Sequence, residues 1–189
     1  MRKIIVSEFI TLDGVVQAPG GVDEDMDGGF QHGGWVPPLW DDGVGEAFSA
    51  GMANIDTLLL GPRTYVGHAH AFEPNPAEDP FGDVSKYVVS KTLTESMWRG
   101  TTIIRDNVIE SIRALKAQPG KDILTDGSSQ LVQAMLAHNL VDELRLYTFP
   151  VSVGGGKRIF PNGVKATFAL TSSKPLKNGI VILHYALGA

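Results

Sequence analysis

Apolar residues recur along the chain in short blocks separated by glycine, proline and polar clusters. Eight blocks have the length and apolar character of buried strands: 3–10, 57–60, 86–89, 101–104, 122–125, 143–150, 167–173 and 180–187. Four windows between them carry helical spacing: 43–54, 62–69, 108–117 and 128–138. Window 108–117 gathers Val108, Ile112 and Leu115 on one face, and window 128–138 gathers Leu131, Val132, Met135 and Leu136. Pro62 stands at a first helical position, and Asn139 offers a stop. Strands and helices alternate over the first two-thirds, which predicts a largely parallel sheet covered by helices on both faces. The last three strands have no helix between them, so they are expected to pair antiparallel at one edge. The predicted class is therefore α/β: a mixed sheet, mostly parallel, with an antiparallel C-terminal part.

Glycine and proline concentrate in three places. One is a long irregular stretch over 14–45, the second runs over 72–83, and the third is Gly154-Gly155-Gly156. A loop as long as the first is functional or disordered. At 189 residues the chain fits one domain, 1–189, and a chain of this mass buries about 70% of its surface without needing a disulfide or a metal. Sixteen basic against 21 acidic side chains leave a net charge of −5. Net charge therefore does not drive the chain onto nucleic acid or an anionic membrane. The absence of cysteine excludes a disulfide scaffold, a cysteine-held metal and a thiol nucleophile. It agrees with a reducing, cytoplasmic location. The N-terminus starts basic, as a signal peptide does, but Glu8 interrupts the apolar run, which reads as a first strand. No apolar run approaches the roughly 20 residues of a membrane helix.

Three strand ends carry candidate chemistry. The segment Leu60-Gly61-Pro62-Arg63-Thr64 is a strand, a glycine and a helix start. The open N–H groups and positive end of a helix bind phosphate, and Arg63 and Thr64 would add donors; a plain turn with solvated Arg63 has the same pattern. Thr125-Asp126-Gly127-Ser128-Ser129-Gln130 repeats it, with Ser128 or Ser129 as phosphate ligand, helix cap or both. Ser90-Lys91-Thr92 ends a third strand with two hydroxyls around a lysine, suited to a ribose phosphate or simply a polar turn. Two phosphate-type turns in one sheet suggest a dinucleotide lying across the strand ends, although no GxGxxG is present.

Other candidates are weaker. The histidines at 32, 68, 70, 138 and 184 show no metal-ligand spacing and read as surface or helix-end residues, so no metal is expected. The acids Asp23, Glu24, Asp25 and Asp27 sit in the long loop and read as solvated. Asp41 and Asp42 follow Trp35 and Trp40, so one of them is either a proton donor beside aromatics or a helix cap.

Taken in order, these residues form a pattern: Thr11-Leu12-Asp13-Gly14, then Leu58 to Tyr65, Val88 to Leu93, Asp126 to Leu131, Leu140 to Leu146, and Gly154 to Phe160. The order and spacing resemble the dihydrofolate-reductase-like superfamily, and more closely the reductase domain of bifunctional riboflavin-biosynthesis proteins and their stand-alone relatives. The resemblance spans nearly the whole chain. It implies NADPH as hydride donor. Gly61, Arg63 and Thr64 would lie at the pyrophosphate, and Ser90, Lys91 and Thr92 at the adenosine ribose and its 2′-phosphate. Gly127, Ser128, Ser129 and Gln130 would form the other phosphate turn. Thr11 to Gly14 would start a lid beside the nicotinamide, packed on by the Gly154 loop. The sequence departs from many relatives in having Pro62, not arginine, directly after Gly61. On the substrate side, Asp41 or Asp42 would be the acid, and Trp35, Trp40 and Phe72 pocket walls.

The reading that follows is an NADPH-dependent reductase of a C=N or C=O bond in a small heterocycle, pteridine- or pyrimidine-like. The alternatives are 5-amino-6-(5-phosphoribosylamino)uracil reductase, which needs a further phosphate-binding group such as Lys157 or Arg158, and a non-catalytic nucleotide-binding module. A homodimer is expected from the resemblance, through the C-terminal strands: the run from Leu144 to Pro150 alternates, offering a partner-facing or a buried face.

Overall fold

The computed structural model describes residues 1–82, 84–160 and 165–188. Eight strands form one sheet: β1 (Ile4–Thr11), β2 (Ile55–Leu60), β3 (Ser85–Val89), β4 (Thr101–Ile104), β5 (Asp122–Asp126), β6 (Glu143–Phe149), β7 (Phe168–Pro175) and β8 (Val181–Leu187). Among the described residues four α-helices accompany them: α1 (Asp42–Met52), α2 (Pro62–Phe72), α3 (Val108–Ala117) and α4 (Ser129–Ala137). The strand order is β4-β3-β2-β5-β1-β6-β8-β7. Pairing is parallel from β4 across to β6 and antiparallel for β6–β8 and β8–β7. The mixed sheet with an antiparallel C-terminal part is thus the one its hydrophobic pattern predicts.

The continuous apolar character of β1 has a direct cause. Both faces of a parallel sheet are covered, so both alternating sets of side chains are buried. Ile4 and Val6 pack with Leu59, Ile123, Val132 and Met135 on the α3/α4 face. Ile5 packs with Leu58, Leu60, Leu124 and Tyr65 on the opposite face, against α2. A third cluster joins Val44 of α1 to Trp35, Tyr147, Phe149 and Ile180. β6 lies between β1 and β8, and its apolar residues Leu144, Leu146, Tyr147 and Phe149 are all core. The alternation in this run is therefore an internal sheet face rather than a partner-facing one. β7 forms the open edge and is exposed after Phe168.

The strand order has one consequence for function. β5 lies between β2 and β1 near the middle of the sheet, parallel to both, so the turn leaving β5 lies beside the turn leaving β2. In an open α/β sheet, ligands bind at the carboxyl ends of such strands.

Candidate functional site

A groove of about 840 Å³ runs along those carboxyl ends. It is lined by Gly61 to Thr64 from the β2–α2 turn and by Asp126 to Leu131 from the β5–α4 turn. Glu8 and Phe9 of β1 form its floor, and Gln17 to Gly20 with Asp25 and Lys157 close its far side. The two turns touch. The Gly61 N–H donates to the Ser128 hydroxyl at 2.9 Å, and a Cβ on Gly127 would lie 3.2 Å from Thr64 Cγ2. Gly127 has φ of 70°, and Ser128 follows in the same left-handed region at 71°, the strained geometry that sharp ligand-holding turns use.

Ser128 occupies the N-cap position of α4, but its hydroxyl is spent on Gly61 and does not cap the helix. Gly61, the N-cap residue of α2, gives that helix no side-chain cap either. Both helices therefore present uncapped N–H groups to the groove, and uncapped helix starts attract anions. Of the proposed phosphate residues, Gly61, Arg63, Thr64, Gly127, Ser128, Ser129 and Gln130 line this one groove. The third tip does not join them. Val89 reaches the groove, but Ser90 is buried and its hydroxyl accepts from the N–H groups of Thr92 and Leu93 at 3.3 and 3.0 Å. Lys91 and Thr92 are exposed beyond it. The polar-turn reading describes this segment as it stands.

The lid residues are fastened. The Thr11 hydroxyl donates to Asp13 Oδ1 at 2.6 Å and accepts from the Val15 N–H at 2.9 Å. Asp13 accepts the Gly154 N–H at 2.8 Å, Val15 bridges to Arg158, and Gly14 follows with φ of 83°. The Thr11 hydroxyl and the loop amides pull the Asp13 carboxyl down to about 2. The loop over 14–17 thus packs on the Gly154 loop, as the resemblance implies, but Thr11 and Gly14 lie outside the groove lining.

The expected substrate side is elsewhere. Asp41 caps α1, accepting the Gly43 N–H at 2.8 Å, and Asp42 is the exposed first residue of that helix. Neither reaches the groove. Trp35 is buried, donating its indole N–H to the Gln17 carbonyl at 3.0 Å. Trp40 is 48% exposed and meets the groove indirectly, edge-on to Phe9 at 6.3 Å. Phe72 sits behind the groove in an aromatic cluster with Phe81, Trp98 and His68.

Three sequence readings need correction. His68 is not a surface residue: half-buried on the groove wall, it meets Asp126 Oδ2 through Nε2 at 3.1 Å. Helical spacing turns it inward from α2, against Phe81 at 5.2 Å. The acids of the long loop are not all solvated. Asp25 is 12% exposed and its carboxylate binds Lys157 Nζ at 2.6 Å and the Arg63 guanidinium; Asp27 binds the same two cations, at 2.8 and 2.6 Å. Arg63 and Lys157 hold the Asp27 carboxyl near 2. Glu8, read only as an interruption of the first strand, is 4% exposed on the groove floor, and its Oε1 has no hydrogen-bond partner. Burial, reinforced by the Asp126 charge, pushes its carboxyl well above the ordinary carboxylate range. A lone acid inside a strand buried on both faces was the available signal.

A mixed sheet of this order, with its groove at the carboxyl ends of β1, β2 and β5, defines a dihydrofolate-reductase-like fold. A protein from Shewanella sp. PV-4 named for riboflavin biosynthesis superposes with a TM-score of 0.72 over 99% of both chains, at 23% identity. A pyrimidine reductase-like protein from Corynebacterium diphtheriae superposes at 0.68, over all of this chain and 92% of its own, at 13% identity. The chain is also 28% identical to the uncharacterized protein YyaP of Bacillus subtilis strain 168, over 97% of this chain and 94% of that one. The family model for the RibD C-terminal domain matches residues 2–182, and the chain belongs to that family.

Proposed function

We propose that this protein is an NADPH-dependent reductase acting on a C=N or C=O bond of a small heterocycle. The observation that carries the reading is the pair of uncapped helix starts locked together by Gly61 and Ser128 over one groove, with Arg63 and Lys157 beside them. NADPH supplies the hydride when bound. Thr64 and Ser129 offer backbone and hydroxyl donors to its diphosphate, the Ser128 hydroxyl, which accepts from the Gly61 N–H, keeps its own O–H to donate, and Arg63 offers a guanidinium fork. Phe9 and Val16 supply apolar wall for a flat ring.

Family membership and the reductase-like neighbour support this reading. Lys157 favours one particular substrate class. It is a second cation lining the groove, and a phosphoribosyl-bearing pyrimidine would engage it. No helix among the described residues is long and apolar enough to cross a membrane, and a small dissolved substrate fits such a groove.

Thermal unfolding with NADPH and with NADH is the test. A ligand at about 100 times its dissociation constant adds about 2.7 kcal/mol, so NADPH is expected to raise Tm and NADH to raise it less. Equal or absent shifts refute the cofactor assignment. A shift without oxidation of NADPH by any pteridine or phosphoribosyl pyrimidine in a panel establishes the non-catalytic nucleotide-binding module instead.

A further inference from the structure

Glu8 is the one acid on the groove floor whose carboxyl oxygen lacks any partner among the described residues. It sits midway along β1, opposite Leu146 of β6 on one side and one residue past the last pair with β5, Ser7 opposite Asp126, on the other. Alternation along the strand puts Glu8 on the face of Val6, and register places Thr125 beside Val6. The Thr125 hydroxyl is also buried and unpartnered. Two orphaned oxygens on one face of adjacent strands are costly in a folded interior, and the position of Glu8 on the groove gives its share of that cost a use. The other ionisable groups on the groove are already engaged or peripheral. Asp126 of β5 is taken by His68 of α2, Arg63 and Lys157 by Asp25 and Asp27, Glu24 accepts from the Gly20 and Gly21 N–H groups, and His138 at the end of α4 is exposed.

We propose that Glu8 is the proton donor of this site: its carboxyl O–H breaks and gives the proton to the nitrogen or oxygen of the substrate's C=N or C=O bond. The proposal rests on the reductase reading. The carbon of that bond takes the hydride, and the displaced π pair forms the new N–H or O–H bond with the Glu8 proton. The substrate gains two electrons and the cofactor loses the same two. Glu8 is left as a carboxylate and regains a proton from water entering the groove. A carboxyl kept neutral by burial is suited to this role.

Calorimetric titration of the full chain with NADPH and with NADP⁺ at pH 7, in two buffers of different ionisation enthalpy, tests the proposal. The oxidised nicotinamide ring is positively charged, and a nearby positive charge lowers the pKa of a carboxyl. NADP⁺ is expected to release more protons per nucleotide bound than NADPH does. Protons per nucleotide do not depend on affinity, and the difference is expected to vanish in Glu8→Gln. An equal difference in Glu8→Gln, or a Glu8 carboxyl already ionised at pH 7 by carboxyl-carbon NMR, overturns the proposal while leaving NADPH binding intact. Failure of both nucleotides to bind the wild-type protein removes the reductase reading, and the donor role falls with it. If Glu8→Gln does not fold, the wild-type NMR titration decides. The Glu8 midpoint must fall with NADP⁺ and not with NADPH, and an unmoved midpoint overturns the role.

Discussion

Asp25→Asn should tighten NADPH binding. Arg63 and Lys157 face the groove, but Asp25 and Asp27 hold both, so two positive and two negative charges cancel. A ligand phosphate arriving there must replace carboxylates that already occupy the cations. Removing one carboxylate charge leaves the cluster at +1. At an effective dielectric of about 20 and a separation of about 8 Å, one unit charge attracts another by about 2 kcal/mol. Solvent in the half-open groove screens part of this, which leaves about 1–2 kcal/mol, or about five- to thirty-fold in affinity. The gain should be large near 0.01 M salt, where the Debye length is about 30 Å, and small near 1 M, where it is about 3 Å.

The same change costs folding stability. Asp25 is 12% exposed and its charge-assisted bond to Lys157 spans 2.6 Å, so Asn should lose about 1 kcal/mol. In a chain of this size that lowers Tm by about 2–4 °C. The assay is calorimetric NADPH titration of both proteins at the two salt concentrations, with a melt of each. A lower Tm combined with tighter low-salt binding is the expected pair. Equal or weaker low-salt binding by Asp25→Asn refutes the idea that these carboxylates stand where phosphate goes.

Three further outcomes are expected. The raised Glu8 carboxyl keeps its proton in the folded state above its ordinary value of 4.5, so wild-type stability should fall as pH rises from there through the folded value. The slope is at most about 1.4 kcal/mol per pH unit, and urea melts of Glu8→Gln should lack it; parallel curves would count against a neutral Glu8. Asp13 has the opposite sign. Its carboxyl is lowered from 3.8 to about 2, so the stability it gives is full above 3.8 and lost as pH falls toward 2; Asp13→Asn should flatten that acid limb and speed hydrogen exchange at the Gly154 amide. Ser128→Ala removes the acceptor of the Gly61 N–H and should cost about 1–2 kcal/mol in thermal unfolding. Ser128→Gly removes it too but relieves the left-handed backbone at φ of 71°, so it should cost less than Ala; a larger loss with Gly would refute the strain.

What the chain revealed of itself in sequence followed from periodicity. The strand at 101–104 and the helix at 108–117 coincide with β4 and α3, because burial of alternate or every third to fourth residue is a local property of the chain. The two phosphate-type turns were legible for a related reason: a glycine between strand and helix writes its geometry into neighbouring positions. The remaining site residues have no such local record. Arg63 and Asp25 meet across 38 residues of sequence, inside a loop whose polar composition gives the appearance of solvation whether or not its acids find partners. Ser90-Lys91-Thr92 shows the converse. Its residue types suit a ribose phosphate, yet the Ser90 hydroxyl is spent on the next two backbone amides.

Glu8 differs from both cases, since its local signal is present in the sequence: an acid inside an otherwise apolar strand. In a strand buried on both faces, an acid without a basic neighbour in sequence has few outcomes: a distant ion pair, exposure at a strand end, or a neutral carboxyl. β6 on one side places Leu146 opposite Glu8, and β5 on the other adds the negative charge of Asp126. Both flanks therefore oppose ionisation. The energetic penalty of burying this group falls on a strand residue that also lines the groove onto which the two phosphate-type turns open. That coincidence of cost and location is what the proposed donor role accounts for.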